Sequence, residues 1–227
     1  FNAQLHVVGD AKSGIVPNPD YPVILGWDPG AVNNAVIFLQ CLVGAEKSLW
    51  TVFDEFVTVN KKLPYTTIIP LLYRKMKSWE RKVGESLRWN HVSDNSAFNQ
   101  YRAKTGSYDV KDIEEISRDK CETFGLAPIR MRAAPKFSGS VEGRVRLLIA
   151  KLTNEEIVVS AQCTDVVKMM KNLVSEKQKD GKYDPDLALK PRRSVYIHSF
   201  DALTYPLMFY DVGIGVPRAD VQSSEIV

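Results

Sequence analysis

Three aspartates are the residues of this chain best suited to chemistry. Asp28 ends the apolar run 23–27, Asp94 ends the run 87–93, and Asp201 opens an apolar helical segment. Hard divalent cations prefer carboxylate oxygens that rigid elements bring together from distant parts of a chain. Taken singly, each aspartate is explained as well by a turn or by the dipole of a helix start. A shared metal site is the interpretation that explains all three together.

Weaker candidates lie on either side of these acids. Asp54 and Glu55 are neighbours on a predicted strand and point to opposite faces, so either is a candidate outer ligand. An exposed strand acid explains them equally well. His198 precedes Asp201 by three residues, an offset that lets it reach the same site along a helix. We therefore treat His198 as a candidate partner for a metal or a phosphate, with an ordinary strand-end histidine as the alternative.

Positive charge is concentrated in two segments. Residues 118–151 hold eight Lys and Arg against three acids, and residues 168–193 hold eight against four. The chain as a whole has a net charge of only +3, so the remainder is acidic. Two basic segments on an acidic body indicate a face for a polyanion, although a solvated helix surface is the alternative for each.

Composition narrows the class of protein. The 227 residues, 44% of them hydrophobic, suit one large domain. No apolar run approaches the roughly 20 residues that span a bilayer, and no signal peptide is visible, so we expect no membrane segment. The three cysteines lack paired spacing and are interpreted as reduced thiols. No phosphate-binding loop of the Walker type occurs, which excludes that form of ATP hydrolysis. The chain starts without Met, and we expect it to be an excised domain of a longer protein.

Periodicity predicts alternating strands and helices. Strands are predicted over 22–28, 35–43, 49–59, 87–93, 129–133 and 157–160, and helices over 65–83, 112–124, 140–152, 166–174 and from 199 onward. Short connections make the first three strands an antiparallel meander, and the strand after the first helix should lie parallel to the first strand. This predicts an α/β fold whose mixed sheet has a meander followed by parallel strands, flanked by helices. Asp28 and Asp94 should then share one edge.

The remaining segments frame one domain. Residues 1–20 are predicted to be a linker or irregular lead-in, 21–211 the domain, and 212–227 a flexible tail. We expect a loop over 177–193 and an extended stretch over 194–198. Ser199 is the predicted N-cap of the helix that carries Asp201. Pro70 should delay or kink its helix, and Pro206 should bend the last one.

Five ordered motifs resemble the C-terminal nuclease domain of the large terminase subunit of tailed bacteriophages, a ribonuclease H-like family. The motifs are Gly26-Trp27-Asp28-Pro29-Gly30, Phe53-Asp54-Glu55-Phe56, Ser93-Asp94-Asn95-Ser96-Ala97, the segment from Lys136 to Val145 with its Gly139-Ser140, and His198-x-x-Asp201-Ala202-Leu203-x-Tyr205. The resemblance extends over roughly residues 1–210. One departure is Thr204, where the family often has Arg.

The resemblance implies a metal-dependent endonuclease that cuts concatemeric phage DNA during genome packaging. It implies that Asp28, Asp94 and Asp201 bind two Mg²⁺ or Mn²⁺ ions with assistance from His198. The implied partners are double-stranded DNA, an N-terminal packaging ATPase of the same protein, the portal and the small terminase subunit. The implied place of action is the host bacterial cytoplasm, at the packaging motor on the procapsid.

Three basic residues are candidates for DNA contacts. Lys136, Arg144 and Arg146 lie in the first basic segment and would contact phosphates. Phosphate contacts carry no sequence information, so cutting should be largely nonspecific.

Several other functions remain open from the sequence. A junction resolvase shares the fold class, and a non-catalytic DNA-binding or portal-docking module could carry unused acids. A transposase is less favoured, because Asp201 lies 107 residues after Asp94 and such enzymes place their last acid much closer. An actin-like ATPase would need a second lobe of similar size.

Overall fold

A seven-stranded mixed sheet forms the centre of the molecule. The computed structural model describes residues 1–10, 14–30, 32–44, 47–99, 101–102, 107–173 and 194–214. The strands are β1 (Val7–Val8), β2 (Val23–Asp28), β3 (Asn34–Val43), β4 (Ser48–Thr58), β5 (Trp89–Ser93), β6 (Tyr101–Arg102), β7 (Ser107–Tyr108), β8 (Met131–Ala133) and β9 (Ile157–Ser160). The helices are α1 (Ala3–His6), α2 (Tyr65–Val83), α3 (Ser96–Asn99), α4 (Asp109–Phe124), α5 (Ser140–Thr153), α6 (Thr164–Asn172) and α7 (Ile197–Met208), which continues as a π-helical segment, Phe209–Ile214.

The strand order confirms the predicted α/β architecture. The large sheet runs β1-β9-β4-β3-β2-β5-β8, and β6 pairs with β7 in a separate hairpin. Strands β2, β3 and β4 form the antiparallel meander, and β5 lies parallel to β2. Strands β8 and β9 add in parallel to β5 and β4. The helical crossovers between parallel strands account for this mixture.

Each face of the sheet carries its own apolar core. One core packs α5, α6 and α7 on the sheet, and the other packs α2 and α4 on the opposite face. Strand β2 contributes to both, because successive side chains alternate between the faces. Ile24 belongs to the α7 core, whereas Leu25 and Trp27 belong to the α2 core. The sheet is therefore covered on both sides, and its strand ends are the places where polar groups can meet.

Some expectations about the helices differ from the structure. Helix α2 starts directly after Pro64 and contains Pro70, so the expected late start is wrong. Helix α4 begins at Asp109, three residues earlier than predicted. Helix α7 begins at Ile197, so the predicted extended stretch over 194–198 is wrong.

The predicted cap of α7 is also wrong. Ser199 is buried inside the helix, and Tyr196 occupies the cap position without a side-chain hydrogen bond. Packing of the apolar face, which includes Phe200 and Leu203, sets the start of α7 in place of local capping preference. Pro206 lies within α7 and does not end it.

The lead-in is more ordered than predicted. Residues 3–8 form α1 and β1, and β1 extends the sheet by pairing in parallel with β9. The His6 ring bonds the Leu152 carbonyl at 2.9 Å through Nε2, which fastens this segment to α5. The predicted loop over 177–193 lies outside the described residues. The predicted tail begins at residue 212, but the π-helical segment continues to Ile214. None of the described helices combines the length and apolar character needed to cross a membrane.

Candidate active site

Strands β2 and β5 bring Asp28 and Asp94 to one edge of the sheet. Trp27 pairs with Ser93 in parallel register, so Asp28 and Asp94 each follow one member of the same cross-strand pair. The two-residue alternation places Asp28 on the same face as Gly26, the face that α7 covers. The first expectation, a common edge for these two acids, agrees with this register.

Helix α7 brings the third acid because its backbone lies directly on β2. A Cβ atom at Gly26 would collide with the Ala202 carbonyl oxygen and would come within 2.6 Å of the Pro206 ring. Only glycine allows this approach. Asp201 immediately precedes Ala202 and therefore reaches the edge where Asp28 ends its strand. The close contact of helix and strand sets the distance between these two acids.

Neighbouring charges shift the pKa values of Asp28 and Asp201. Burial raises the pKa of Asp28, and the charge of Asp94 raises it further, whereas the hydrogen bond from His198 lowers it. Burial also raises the pKa of Asp201 to about 6, with Arg144 lowering it and Asp28 raising it. Like charges couple in this way only at short range. Asp28 is therefore coupled to both of the other acids.

Each acid has a single side-chain donor. The pairs are His198 Nδ1 with Asp28 Oδ2 at 2.6 Å, Arg144 with Asp201 Oδ1 at 2.6 Å, and Ser96 Oγ with Asp94 Oδ2. Within the described part of the chain, the second oxygen of each carboxylate has no hydrogen-bond partner. No three Asp, Glu, His or Cys side chains of that part stand within joint reach of one metal ion. The donor set fits a hard cation, but the carboxylates would have to turn to share it.

Arg144 has a different position from the one predicted. It is buried, and one nitrogen donates to both Asp201 Oδ1 and Thr204 Oγ1, the latter at 3.1 Å. Its guanidinium also lies 4.5 Å from the Tyr205 ring centroid and 5.4 Å from that of Phe200. An arginine enclosed in this way is not free to contact DNA phosphates. Arg144, on α5, is the positively charged partner of Asp201. It also contacts Thr204, the position at which the family motif often has an arginine.

Lys136 and Arg146 are exposed, as a phosphate contact requires. The chain leaves β8 beside the aspartate edge, because the Ala134 amide donates to the Ser93 carbonyl at 2.8 Å. Lys136 follows two residues later and is therefore close to that edge. Contact of Lys136 and Arg146 with DNA stays a prediction.

Asp54 is not brought to the site. It accepts two hydrogen bonds from Lys75, at 2.9 and 3.0 Å, and one from Trp79 Nε1 at 2.6 Å. Across the sheet Asp54 opposes Phe38, and Phe38 opposes Leu25, three residues before Asp28. Three residues of strand and two strand spacings separate the Cα atoms of Asp54 and Asp28 by roughly 14 Å. Asp54 anchors α2 to β4.

Glu55 also lies outside the site and contacts the start of α6. Its two carboxylate oxygens accept the backbone amides of Asp165 and Val166, at 2.8 and 2.9 Å, at the start of α6. This contact satisfies two of the amides that a helix start leaves unpaired. Burial raises the pKa of Glu55 to about 7, although the two amides lower it. Neither neighbour on β4 serves the edge as the outer ligand considered from the sequence.

Two polar neighbours of the site escaped the sequence-based prediction. Asn33 lies in the turn after β2, and its Nδ2 is 3.3 Å from His198 Nε2. Ser96 bonds Asp94 two residues before it. An Asp-x-Ser pattern is a local signal for that second contact. No local signal connects Asn33 with His198, because 165 residues separate them.

Comparison with solved structures agrees with this architecture. The nuclease domain of the large terminase of bacteriophage P22 superposes with a TM-score of 0.59 at 13% sequence identity, covering 92% of this chain and 89% of that chain. The large terminase nuclease domain of bacteriophage SPP1, solved with bound Mn, gives a TM-score of 0.52 at 18% identity, covering 90% and 95%. No protein-family model matches the sequence, and no curated protein matches it. The chain therefore has the ribonuclease H-like fold of the large terminase nuclease domains, as its motifs predicted.

Proposed function

We propose that this chain is a divalent-metal-dependent endodeoxyribonuclease that cuts concatemeric phage DNA during genome packaging. The observation that carries the proposal is the coupling of Asp28 to both Asp94 and Asp201, each with one carboxylate oxygen unpaired among the described residues. Likeness to the P22 and SPP1 nuclease domains, the latter with Mn bound, supports it.

Asp28, Asp94 and Asp201 would together hold two Mg²⁺ or Mn²⁺ ions. When bound, such a pair supplies an activated water and stabilises the leaving oxygen of the phosphodiester, so no side-chain base is required. His198 contacts Asp28 Oδ2, and within the described part of the chain Asp28 Oδ1 has no hydrogen-bond partner. Asp201 must be ionised to serve as a ligand, and burial raises its pKa to about 6. Cation binding should therefore strengthen as the pH rises through that value.

DNA would approach across the exposed basic residues at this edge. Lys136 and Arg146 are the residues we assign to phosphate contacts, and such contacts give little sequence preference. On this proposal the chain works with a packaging ATPase domain, a portal and a small terminase subunit in the host bacterial cytoplasm.

Plasmid cleavage tests the proposal. Supercoiled plasmid is incubated with the chain and Mn²⁺ or Mg²⁺, with EDTA as the metal-free control. We expect nicking and linearisation by the wild type, and none above the EDTA level by Asp28→Ala or Asp201→Asn. Glu55→Gln is the matched control, since it changes a partly buried acid away from the edge, and it should cut normally. Equal cutting by wild type and Asp28→Ala would overturn the proposal.

The same assay separates the alternatives. A four-way junction cut in preference to linear duplex would identify a junction resolvase. Binding of DNA without metal and without any cleavage would identify a non-catalytic module.

A further inference from the structure

A chain of hydrogen bonds runs from the end of β4 to the carboxylate of Asp28. The Asn60 backbone amide donates to Asn33 Oδ1 at 2.7 Å. Asn33 Nδ2 lies 3.3 Å from His198 Nε2, and His198 Nδ1 lies 2.6 Å from Asp28 Oδ2. The four groups come from β2, the turn that follows it, the end of β4, and the first turn of α7.

The direction of every bond in this chain follows from its first member. A backbone amide can only donate, so the oxygen of the Asn33 side chain must face Asn60 and the NH₂ group must face His198. That NH₂ group can also only donate, so His198 Nε2 must be the acceptor. The ring proton is then on Nδ1 and points at Asp28. A backbone amide thus settles both the amide orientation and the histidine tautomer, which geometry alone usually leaves open.

Asn33 is itself held in place by its turn. The Gly30 amide donates to Asn34 Oδ1 at 3.1 Å, and the Gly30 backbone lies so close to the Asn33 carbonyl that a Cβ at position 30 would collide with it. Asn60, which donates that backbone hydrogen bond, has a positive φ of 54°. Reversing the Asn33 amide would set its NH₂ group against the Asn60 N–H, two donors facing each other.

We propose that Asn33 is a positioning residue that holds His198 with Nε2 facing the Asn33 amide and Nδ1–H facing Asp28, so that His198 orients Asp28 and does not itself ligate the cation. Both ring nitrogens of His198 are occupied, one by Asn33 and one by Asp28. Asp28 Oδ1 is left for the metal. Partners behind a ligand orient it and commonly change metal affinity about 10- to 100-fold when removed. This inference rests on the proposed function and gives His198 a positioning role in place of the candidate role of a ligand.

Imidazole nitrogen NMR of the metal-free chain tests the tautomer. The chain has three histidines, and His198→Gln identifies the signals of His198. We expect a protonated Nδ1 and an unprotonated Nε2. In Asn33→Asp, a carboxylate accepts from both Asn60 and Nε2, so both ring nitrogens should be protonated at the same pH. A proton on Nε2 in the wild type would overturn the inference.

Calorimetric titration with Mn²⁺ tests the consequence. Asn33→Ala should bind Mn²⁺ roughly 10-fold more weakly than the wild type. Asn60→Gly is the matched control, because it keeps the backbone amide and the positive φ, and its affinity should match the wild type. Equal affinity of Asn33→Ala and wild type would overturn the positioning role while leaving the proposed nuclease intact. Failure of the wild type to bind Mn²⁺ at all would overturn both.

Discussion

The acids on β4 and the acids at the sheet edge are used in opposite ways. Asp54 accepts from Lys75 and Trp79 through both of its oxygens, and Glu55 accepts two backbone amides with both of its own. Asp28 and Asp201 each give one oxygen to a donor. Partly buried carboxylates thus have two roles here. Asp54 and Glu55 connect a helix to the sheet through both oxygens, whereas Asp28 and Asp201 each have one oxygen without a hydrogen-bond partner in the described part of the chain.

The difference shows why burial of an acid does not by itself mark a site. The contacts of Asp54 and Glu55 each fasten a helix to the sheet, so their loss should appear in stability. The edge acids lie among like charges, and burial raises the pKa of both Asp28 and Asp201. Their loss should appear in ligand binding and activity. Four measurements sharpen or break this division.

The largest effect should be on cleavage. Asp94→Asn keeps the size of the side chain and removes its charge from the edge, and we expect DNA cleavage with Mn²⁺ to fall on the order of 100- to 1,000-fold. Asp54→Asn makes the same chemical change on β4 and should cut within about twofold of the wild type when both are folded. The division between the two groups of acids fails if the two variants lose activity equally.

The next effect concerns the counter-charge of Asp201. Arg144→Met should lower the free energy of unfolding of the metal-free chain by about 3 kcal/mol, because it leaves a buried carboxylate without its partner. Saturating Mn²⁺ should recover much of this loss, since bound cations neutralise the same carboxylate. Denaturant unfolding with and without Mn²⁺ measures both values. Arg146→Met, an exposed change on the same helix, should alter stability by less than about 0.5 kcal/mol. An Arg144→Met loss unaffected by Mn²⁺ would contradict this account.

A smaller effect should appear in the free energy of unfolding, which should change in opposite directions for acids on β4 and acids at the sheet edge. Asp54→Asn should destabilise the metal-free chain by about 1–2 kcal/mol, because it weakens the contacts with Lys75 and Trp79. Asp28→Asn retains an oxygen for His198 and removes a charge whose ionisation burial opposes, so it should be neutral or stabilising. Thermal unfolding of both variants at pH 7 measures the contrast. Destabilisation of both by the same amount would remove the distinction.

The smallest effect should be a pH dependence from Glu55. Its pKa rises from 4.5 to about 7 on folding, so the native state holds the proton more tightly than the unfolded state. The stability that this gives is fully present below pH 4.5 and is lost as the pH rises through about 7. Wild type should therefore lose more stability than Glu55→Gln over that interval. Contributions of Asp28 and Asp201 cancel in this difference, and parallel curves for the two proteins would refute the assignment.

Local patterns were sufficient for the part of the site that two strands build. Alternation along β2, together with a parallel β5, predicts that Asp28 and Asp94 share an edge, and the register agrees. The same kind of reasoning failed at α7, where Ser199 looked like a cap and is buried within the helix. Capping preference is worth about 1 kcal/mol, and the apolar face of this helix outweighs it.

Two of the contacts at the site could not be predicted because their partners lie far apart along the chain. Arg144 and Asp201 are 57 residues apart, and the arginine was assigned to DNA because a basic segment surrounds it. Asn33 stood in a sequence that favours a turn, and only the fold reveals His198 beside it. The short strand β1 could not be predicted for the same reason. Its two valines lie in a segment that looks irregular, and only their pairing with β9 makes them a strand.

The bare backbone of Gly26 against Ala202 has a consequence for how this site can vary. The backbone of β2 contacts the backbone of α7 at this point. The distance between Asp28 on β2 and Asp201 on α7 is therefore set by the backbone and not by the packing of side chains. Repacking the core cannot widen or narrow it. Variation among chains with this architecture should therefore occur in the side chains around the acids, such as those at positions 33, 144 and 204, while the distance between the acids stays constant.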